Sequence, residues 1–305
     1  MIPMRVTTSQ SYDRPSLMMA SLNSQADRLQ TQVATGKKIL APSDGASGWQ
    51  QLSGLKRADA DDGVYGANIK AAQALLGATD TALDQVETQL QRARTLAVQA
   101  GSETLSAEGR AAIKVEIEAI LEDLVGVANS TDTRGHPLFG GSSGTTAFTR
   151  QDDGSIAWTG GGEPAAIPIG DGESIAATTS GARAFGGIAG SGGTTDMFQI
   201  LSAFATALGP DGAEGGVDTA MSDLDAALDQ LSATRASVGA RAFRLDLEAD
   251  RLGEAEITRE AVRTGIEDAD TATSIAELQK TLTILQATQA SFTKLTSLSL
   301  FDYLR

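Results

Sequence analysis

The chain has no cysteine and a single histidine among its 305 residues. Without cysteine it can form neither disulfide bonds nor iron–sulfur clusters, and thiol chemistry is excluded. A histidine-rich metal site is excluded as well, and a serine–histidine catalytic set would depend on His136 alone. We therefore expect no catalytic, cofactor-binding or metal-binding residues, and we predict that the protein is not an enzyme.

Two local motifs could still be taken for ligand sites. His136 lies in the turn-rich stretch 133–141 and has no partner residues at a matched spacing, which favours a structural or solvated role. The glycines of 187–193 resemble a phosphate-binding loop, but no βαβ pattern precedes them and no Gly-Lys-Ser/Thr follows. We interpret this second stretch as a plain flexible loop.

The balance of charge and hydropathy excludes two further classes of partner. With 39 acidic and 24 basic residues the chain has a net charge of −15, which argues against nucleic-acid binding. No run of about 18 apolar residues exists, so we expect no membrane-spanning helix. The first residues lack the charged-then-apolar plan of a secretory signal, and if the protein is exported we expect no cleaved signal peptide.

What the chain has in abundance is a heptad pattern of apolar residues. The longest run goes from Ile69 to Ala100, beyond four heptads, and it tolerates Gly77 at a cost of about 1 kcal/mol relative to alanine. A second run goes from Ile113 to Val127. A third goes from Leu224 to Leu252, with Arg235 as its one large polar member, and Gly265 is expected to interrupt the helix after it. These runs predict long helices that pack along their lengths.

Both ends of the chain also read as amphipathic helices. The predicted terminal helices pair through one apolar seam, which consists of Leu22, Leu29, Val33, Ile275, Leu278, Leu282, Leu285, Phe292, Leu295, Leu298, Leu300, Phe301 and Leu304. A pair of single helices leaves one side of each helix exposed to water. We therefore expect this pair to order fully only when other subunits cover that side. The last helix has two candidate starts, a capping box at Ser274–Glu277 or an N-cap at Asp270.

Glycine marks a different region in the middle of the chain, where residues 140–216 hold 19 of the 33 glycines. Four short runs there are typical of strands, at 147–150, 155–159, 166–169 and 174–178. Asp152-Asp153-Gly154 is a hairpin turn signal between the first two. We predict a small β-rich domain with long glycine loops.

The sequence as a whole predicts a mainly α-helical protein with a small β insert, of the α+β class. Long antiparallel heptad helices come from both chain halves, and the terminal helices form a coiled coil. The predicted domains are a terminal assembly domain with its connectors (1–44 plus 268–305), a helical rod domain (45–140 plus 218–267) and the glycine-rich, outward-facing insert (141–217).

Several strings at corresponding places resemble the flagellin-like axial proteins of bacterial flagella, most closely the hook-associated type. They cover roughly residues 1–140 and 218–305. They are Met4-Arg-Val-Thr-Thr8, Gln32-Val-Ala-Thr-Gly-Lys-Lys-Ile39 with Pro42-Ser-Asp44, Asn68-Ile69, Ala93-Arg-Thr-Leu-Ala-Val-Gln-Ala100, Leu138-Phe-Gly-Gly141 and Leu295-Thr-Ser-Leu-Ser-Leu-Phe-Asp-Tyr-Leu304.

The resemblance implies a structural role outside the cell, at the junction between hook and filament. Such proteins are exported unfolded through the flagellar type III channel without a cleaved signal, and they assemble as a short ring. Implied partners are copies of the chain itself, the neighbouring hook-associated protein, flagellin, and an export chaperone before assembly. Two alternatives remain open at this point: a flagellin that forms the bulk of the filament, and a secreted enzyme with its activity in the insert.

Overall fold

The computed structural model describes residues 8–143, 146–210, 212 and 215–303, and it describes side chains from residue 13 to residue 294 of these ranges. The chain divides into two compact units. Unit 1 comprises Met1–Ala60 and Ala255–Arg305, and unit 2 comprises Asp61–Glu254. The three-part division that the sequence indicates stays a prediction. By contacts between residues, the insert and most of the predicted rod domain belong to one unit, unit 2.

Helices dominate both units, as the heptad pattern predicts. The long helices are α1 (Thr8–Thr35), α2 (Ala46–Ala100), α3 (Ala107–Ala128), α6 (Gly216–Glu267) and α7 (Thr271–Tyr303). Two shorter helices, α4 (Gly181–Phe185) and α5 (Met197–Ala207), lie in the insert, and a single 3₁₀ turn spans Pro42–Asp44. Helices α2 and α6 contribute residues to both units.

The strands of the described residues form three separate antiparallel pairs. They are β1 (Phe148–Arg150) with β2 (Ile156–Trp158), β3 (Ala166–Gly170) with β4 (Glu173–Ala176), and β5 (Ile188–Gly190) with β6 (Gly193–Thr195). The first two pairs confirm the four predicted strand runs. The turn between β1 and β2 contains Gly154 at φ +83°, a left-handed conformation that favours glycine at this position.

Heptad residues of α2, α3 and α6 form the core of unit 2. On α2 the buried series has Ile69, Leu76, Leu83 and Leu90, all at most 2% exposed, and Thr79 is buried among them. Arg235, the polar member of the α6 seam, lies at the edge of this core and forms ion pairs with three carboxylates of α2. The seam therefore accepts an arginine because α2 supplies its counter-charges.

An aromatic cluster joins the helical part of unit 2 to the insert. Phe139 and Phe185 meet edge to face with ring centroids 4.9 Å apart, and Phe148 and Phe198 pack against Phe185. Phe139 belongs to the Leu138–Gly141 string, so the resemblance to flagellar proteins falls on a core position. Gly141 closes this element at φ +67°, where an added Cβ atom would lie 2.4 Å from a backbone oxygen.

The structure corrects three predictions about local elements. The insert is not only β-rich, because α5 contributes six buried residues to the core. The glycine stretch 187–193, predicted as a plain loop, contains β5 and the start of β6. Gly265 does not interrupt α6, which continues to Glu267. At this position no atom lies within 4 Å of an added Cβ, so the glycine weakens the helix without breaking it.

Candidate assembly interface

The two chain segments that lead to the terminal helices are joined to each other in unit 1. The backbone NH of Ala269 donates to the carbonyl of Gly36 at 2.8 Å, and the NH of Lys38 donates to that of Glu267 at 2.7 Å. Lys37 Nζ lies 2.5 Å from Glu267 Oε1, and Glu267 is only 8% exposed. These contacts bring the end of α1 next to the start of α7.

The Pro42–Asp44 turn fixes the connector that follows α1. Asp44 Oδ2 accepts hydrogen bonds from the backbone NH groups of Leu40 and Ala41, at 3.0 and 2.9 Å. These bonds to the ionised form lower the pKa of Asp44, the bond from Leu40 contributing most. The Pro-Ser-Asp string therefore has a local purpose, because the carboxylate holds the chain in a turn before α2 begins.

Asp270 starts the last helix, which decides between the two capping positions that the sequence offers. Its carboxylate accepts from the Thr273 hydroxyl at 2.7 Å and from the backbone NH groups of Ala272 and Thr273 at 3.0 and 3.1 Å. The bonds from Thr273, side chain first and backbone second, lower the pKa of Asp270. Ser274 lies inside α7 and is buried, so the alternative capping box is wrong.

Helices α1 and α7 pack antiparallel along a heptad seam. Apart from Gln32, the less exposed side chains of α1 are Pro15, Met19, Leu22, Ala26, Leu29 and Val33, and those of α7 are Ser274, Leu278, Thr281, Leu285, Thr288 and Phe292. Both series step by four and three residues throughout, which is the spacing of a coiled-coil interface. The seam of α7 is therefore half polar, with a serine and two threonines among its six positions.

Part of the predicted seam lies beside this interface rather than in it. Leu29 and Leu285 are buried, and four others are half-buried, namely Leu22, Val33, Leu278 and Phe292. Ile275 and Leu282 are 43% and 42% exposed, one position after the buried Ser274 and Thr281. The remaining predicted residues, Leu295, Leu298, Leu300, Phe301 and Leu304, lie outside the residues whose side chains are described.

Apolar residues flank the seam on both sides. At 100° per residue Ile275 and Leu282 lie on one flank of α7, and Ile284, which is 41% exposed, lies on the other. On α1, Leu17 and Met18 are 70% and 59% exposed. Sequence reasoning missed Leu17, Met18 and Ile284, although their apolar character was a signal for a stripe wider than one seam.

A shallow apolar pocket lies where α1 and α7 meet near the chain ends. It has a volume of about 220 Å³ and is lined by Arg14, Pro15, Met18, Thr288, Ser291 and Phe292. Large exposed apolar surfaces on a soluble protein mark places where another molecule packs. The terminal helix pair thus has unburied apolar surface both along its flanks and in this pocket.

A second contact that sequence reasoning missed lies in the same unit. Asp59 of α2 accepts from Arg259 Nε at 2.8 Å and from Arg263 Nη1 at 3.0 Å, both on α6. These side chains are at most 35% exposed. The paired residues are 200 and 204 positions apart in the chain, and no heptad pattern could indicate them.

The described residues bring together no metal-binding cluster. No group of three histidine, aspartate or glutamate side chains there lies close enough to hold a metal ion. His136 has a side chain that is 65% exposed, and its Nδ1 lies 4.0 Å from Asp132. Among the helices described, none has the length and hydropathy that a membrane crossing requires.

Comparison with known families matches both helical regions of the chain. A family model of the bacterial flagellin N-terminal helical region matches residues 6–144, and one of the bacterial flagellin C-terminal helical region matches residues 221–304. The "Flagellar hook-associated protein 3" of Escherichia coli (strain K12) is 28% identical over 323 residues, covering 98% of this chain and 99% of the relative.

Two solved structures have the same fold. The crystal structure of Xanthomonas campestris FlgL matches with a TM-score of 0.63 at 20% identity, over 69% of this chain and 99% of that one. The flagellar junction protein FlgL from Legionella pneumophila matches with a TM-score of 0.59 at 15% identity, over 71% of this chain and 99% of that one. The mainly helical fold with a mid-chain insert is therefore confirmed.

Proposed function

The chain belongs to the bacterial flagellin family, and we propose that it is a structural adaptor that joins hook to filament in the flagellum. The observation that carries this proposal is its similarity to a hook-associated protein 3 over nearly the full length of both chains. The relative's name places it in the flagellum, outside the cell. The proposed position of this chain is the hook–filament junction.

The terminal helices supply the proposed assembly surface. Since α1 covers only one side of α7, Ile275, Leu282 and Ile284 remain available to helices of neighbouring copies. A helix that is apolar beyond a single seam packs stably when more than one neighbour surrounds it. The proposed contact set consists of the predicted seam, including the residues at its C-terminal end, together with Leu17 and Met18.

The proposed partners follow from the proposed position. Copies of the chain form a ring, the neighbouring hook-associated protein lies on one side of it, and flagellin lies on the other. Before assembly an export chaperone covers the terminal helices, because their exposed apolar surface would otherwise promote aggregation.

Deletion of the gene tests the adaptor function. Cells that lack the protein should secrete flagellin into the medium and build no filaments, because the first flagellin subunits have no surface to attach to. A plasmid copy of the full chain should restore filaments. Normal filaments in the deletion strain would contradict the proposal.

The family models, whose descriptions name flagellin, support the alternative function of a flagellin. Immunogold electron microscopy with an antibody to residues 142–215 separates the two functions. A single narrow band where hook meets filament supports the adaptor. Label along the whole filament would make the protein a filament subunit instead.

A further inference from the structure

One face of α6 in unit 2 is exposed over about four turns and is uncharged except at its border, where Asp246 accepts from Gln73 of α2 at 2.7 Å. Two large apolar residues lie on it, Phe243 at 71% and Leu247 at 61% exposure. The other exposed residues of this face are small, and they are Ser232, Ala233, Ala236, Gly239 and Ala240. We call these seven residues the α6 stripe. Asp229 and Asp250 lie on the same face at its two ends.

The arginines beside the stripe do not cover it, because each of them bonds to a partner on α2 or in the insert. Arg235 turns to the carboxylates of α2. Arg241 is partly buried and donates to the carbonyl of Thr178 at 2.7 Å, and Arg244 pairs with Glu173 of the β3–β4 hairpin. Each of these side chains has an intramolecular partner off the stripe. The apolar face thus remains uncovered on a strongly acidic unit.

A second face, on α2, fits the first. Its exposed residues are Gly63, Ala67, Lys70, Ala74, Gly77 and Thr81, and we call them the α2 stripe. At Gly77 on α2 and Gly239 on α6, an added Cβ atom would meet nothing within 4 Å. Glycine inside a helix is destabilising, and no contact within the chain requires it at either position. The missing side chains leave room for a helix from outside the chain.

Both stripes face away from the core of unit 2. On α2 the stripe is about half a helical turn from the buried residues Ala72 and Leu76, and on α6 it is about as far from Val238 and Leu245. A contact between the α6 stripe of one copy and the α2 stripe of the next joins two different surfaces and is therefore heterologous. Contacts of this kind continue from copy to copy and produce rings or helical arrays.

We propose that neighbouring copies of the chain pack side by side, the α6 stripe of one against the α2 stripe of the next. In an antiparallel register that places Phe243 over Gly77, Leu247 lies near Ala74 and Asp250 lies near Lys70. The inference rests on the proposed function only in that it needs copies to assemble.

Charge complementarity supports this register and disfavours the symmetric one. Within the described residues neither Lys70 nor Asp250 makes an ion pair, so both are available to a neighbour. If two α6 stripes packed on each other antiparallel, Asp229 of each copy would face Asp250 of the other. Like charges in direct opposition are destabilising. The second copy therefore presents its α2 stripe.

Disulfide cross-linking tests the contact directly, since the chain has no cysteine of its own. The double variant Thr81→Cys/Ala240→Cys places one cysteine on each stripe at facing positions in the proposed register. Flagella are isolated from cells that carry the variant in place of the original gene, oxidised and run on a non-reducing gel. A ladder of dimers and larger species is expected, because each copy has two linkable sides.

Matched variants define what the gel means. Ala111→Cys/Ala240→Cys moves one cysteine to an exposed position on α3, and it should give no ladder. A dimer formed by Ala240→Cys alone would show a symmetric α6 contact and overturn the proposal. So would the absence of a ladder in Thr81→Cys/Ala240→Cys flagella that carry normal filaments, and that result would leave the adaptor function standing.

A substitution that fills the gap gives an independent test. Gly77→Leu should raise the thermal unfolding midpoint of the isolated chain, since leucine favours helix and the site is open. The same change should abolish swimming by blocking the neighbour. Gly126→Leu adds the same side chain to an open, exposed site on α3 and should leave swimming unchanged. Normal swimming of the Gly77→Leu strain would overturn the proposal.

Discussion

Leu285 shows how much the terminal pair depends on single seam residues. Among the described side chains of α7 it is the large apolar residue with the least exposure, at 8%. The proposed assembly makes the same seam the base on which neighbouring helices pack. A charge at this position therefore acts twice, on the helix pair within a copy and on the ring.

Leu285→Asp should loosen the α1–α7 pair and prevent assembly. Burying an unpaired carboxylate costs more than the roughly 2–5 kcal/mol that a leucine-to-alanine change costs in a core. We expect loss of helical signal in the first part of a thermal melt, followed by circular dichroism, and non-swimming cells. Thr283→Asp, the same charge on an exposed position half a helical turn from the seam, should do neither. Normal swimming of Leu285→Asp cells would remove Leu285 from the proposed seam.

Asp196 is a residue that sequence reasoning passed over, and it begins α5. Its side chain caps the helix by accepting from the NH of Gln199 at 2.8 Å. Desolvation by burial raises the pKa of Asp196 despite this hydrogen bond. The raised pKa means that the charged form is less favourable in the folded than in the unfolded chain. Its contribution to stability is therefore present at low pH and is lost as pH rises through the folded pKa.

Asp196→Asn should stabilise unit 2 at neutral pH. Asparagine is also a good N-cap, so the helix start is kept while the partly buried charge is removed. We expect the midpoint of thermal unfolding at pH 7 to rise by about 2 °C, which corresponds to less than ~1 kcal/mol for a unit of this size. The difference should vanish below about pH 3.5, where the unfolded aspartate is protonated as well. A lower midpoint at pH 7 would mean that the ionised cap outweighs its desolvation.

Whole elements were predictable where their apolar period was long. The runs from Ile69, Ile113 and Leu224 lie on α2, α3 and α6. They were predictable because apolar residues that keep a heptad spacing over several turns do not fit the two-residue period of a strand. The first and last residues of the helices were harder to predict. Helix α2 begins 23 residues before Ile69, in a segment whose apolar residues do not keep the heptad spacing. Helix α5 was missed because it is 11 residues long and lies between glycine-rich stretches.

The terminal seam shows why a pattern of large apolar residues does not fix an interface. The pattern of large apolar residues predicts Ile275 and Leu282 in the seam, whereas the structure buries Ser274 and Thr281, each one position earlier. A small hydroxyl side chain allows two helices to approach, and its oxygen can bond to its own helix, as at Thr288 with Ile284. The larger residues are thereby directed outward, and only a partner outside the chain could reveal their role.

Removal of α7 tests whether the two units are independent. A chain truncated after residue 269 should stay soluble and keep unit 2 folded, since the buried core of Asp61–Glu254 includes no residue of α7. It should fail to restore swimming to the deletion strain. A cooperative melt with an unchanged main transition would support this, measured by circular dichroism against the full chain. Global unfolding of the truncated protein would show that α7 is part of the folding core.

At the scale of the whole molecule, charge is distributed very unevenly between the units. Basic residues divide equally, 12 in each, but unit 1 has 11 acidic residues and unit 2 has 28. Unit 1 is therefore almost neutral, at +1, and unit 2 carries −16. The apolar surfaces of the terminal helices thus belong to the nearly neutral unit, while the net charge, which favours solubility, belongs to the other.

This division predicts how salt affects self-association of the purified chain. Copies of the protein repel one another through their acidic units, whereas burial of apolar surface is not weakened by moderate salt. Raising sodium chloride from about 50 to 500 mM shortens the Debye length from about 14 to about 4 Å. The associated fraction in sedimentation velocity should therefore increase several-fold. A decrease would show that ion pairs between copies, such as Lys70 with Asp250, outweigh the general repulsion. Lys70→Gln removes a single charge, whereas unit 2 carries a net charge of −16, so this substitution should change the salt dependence little.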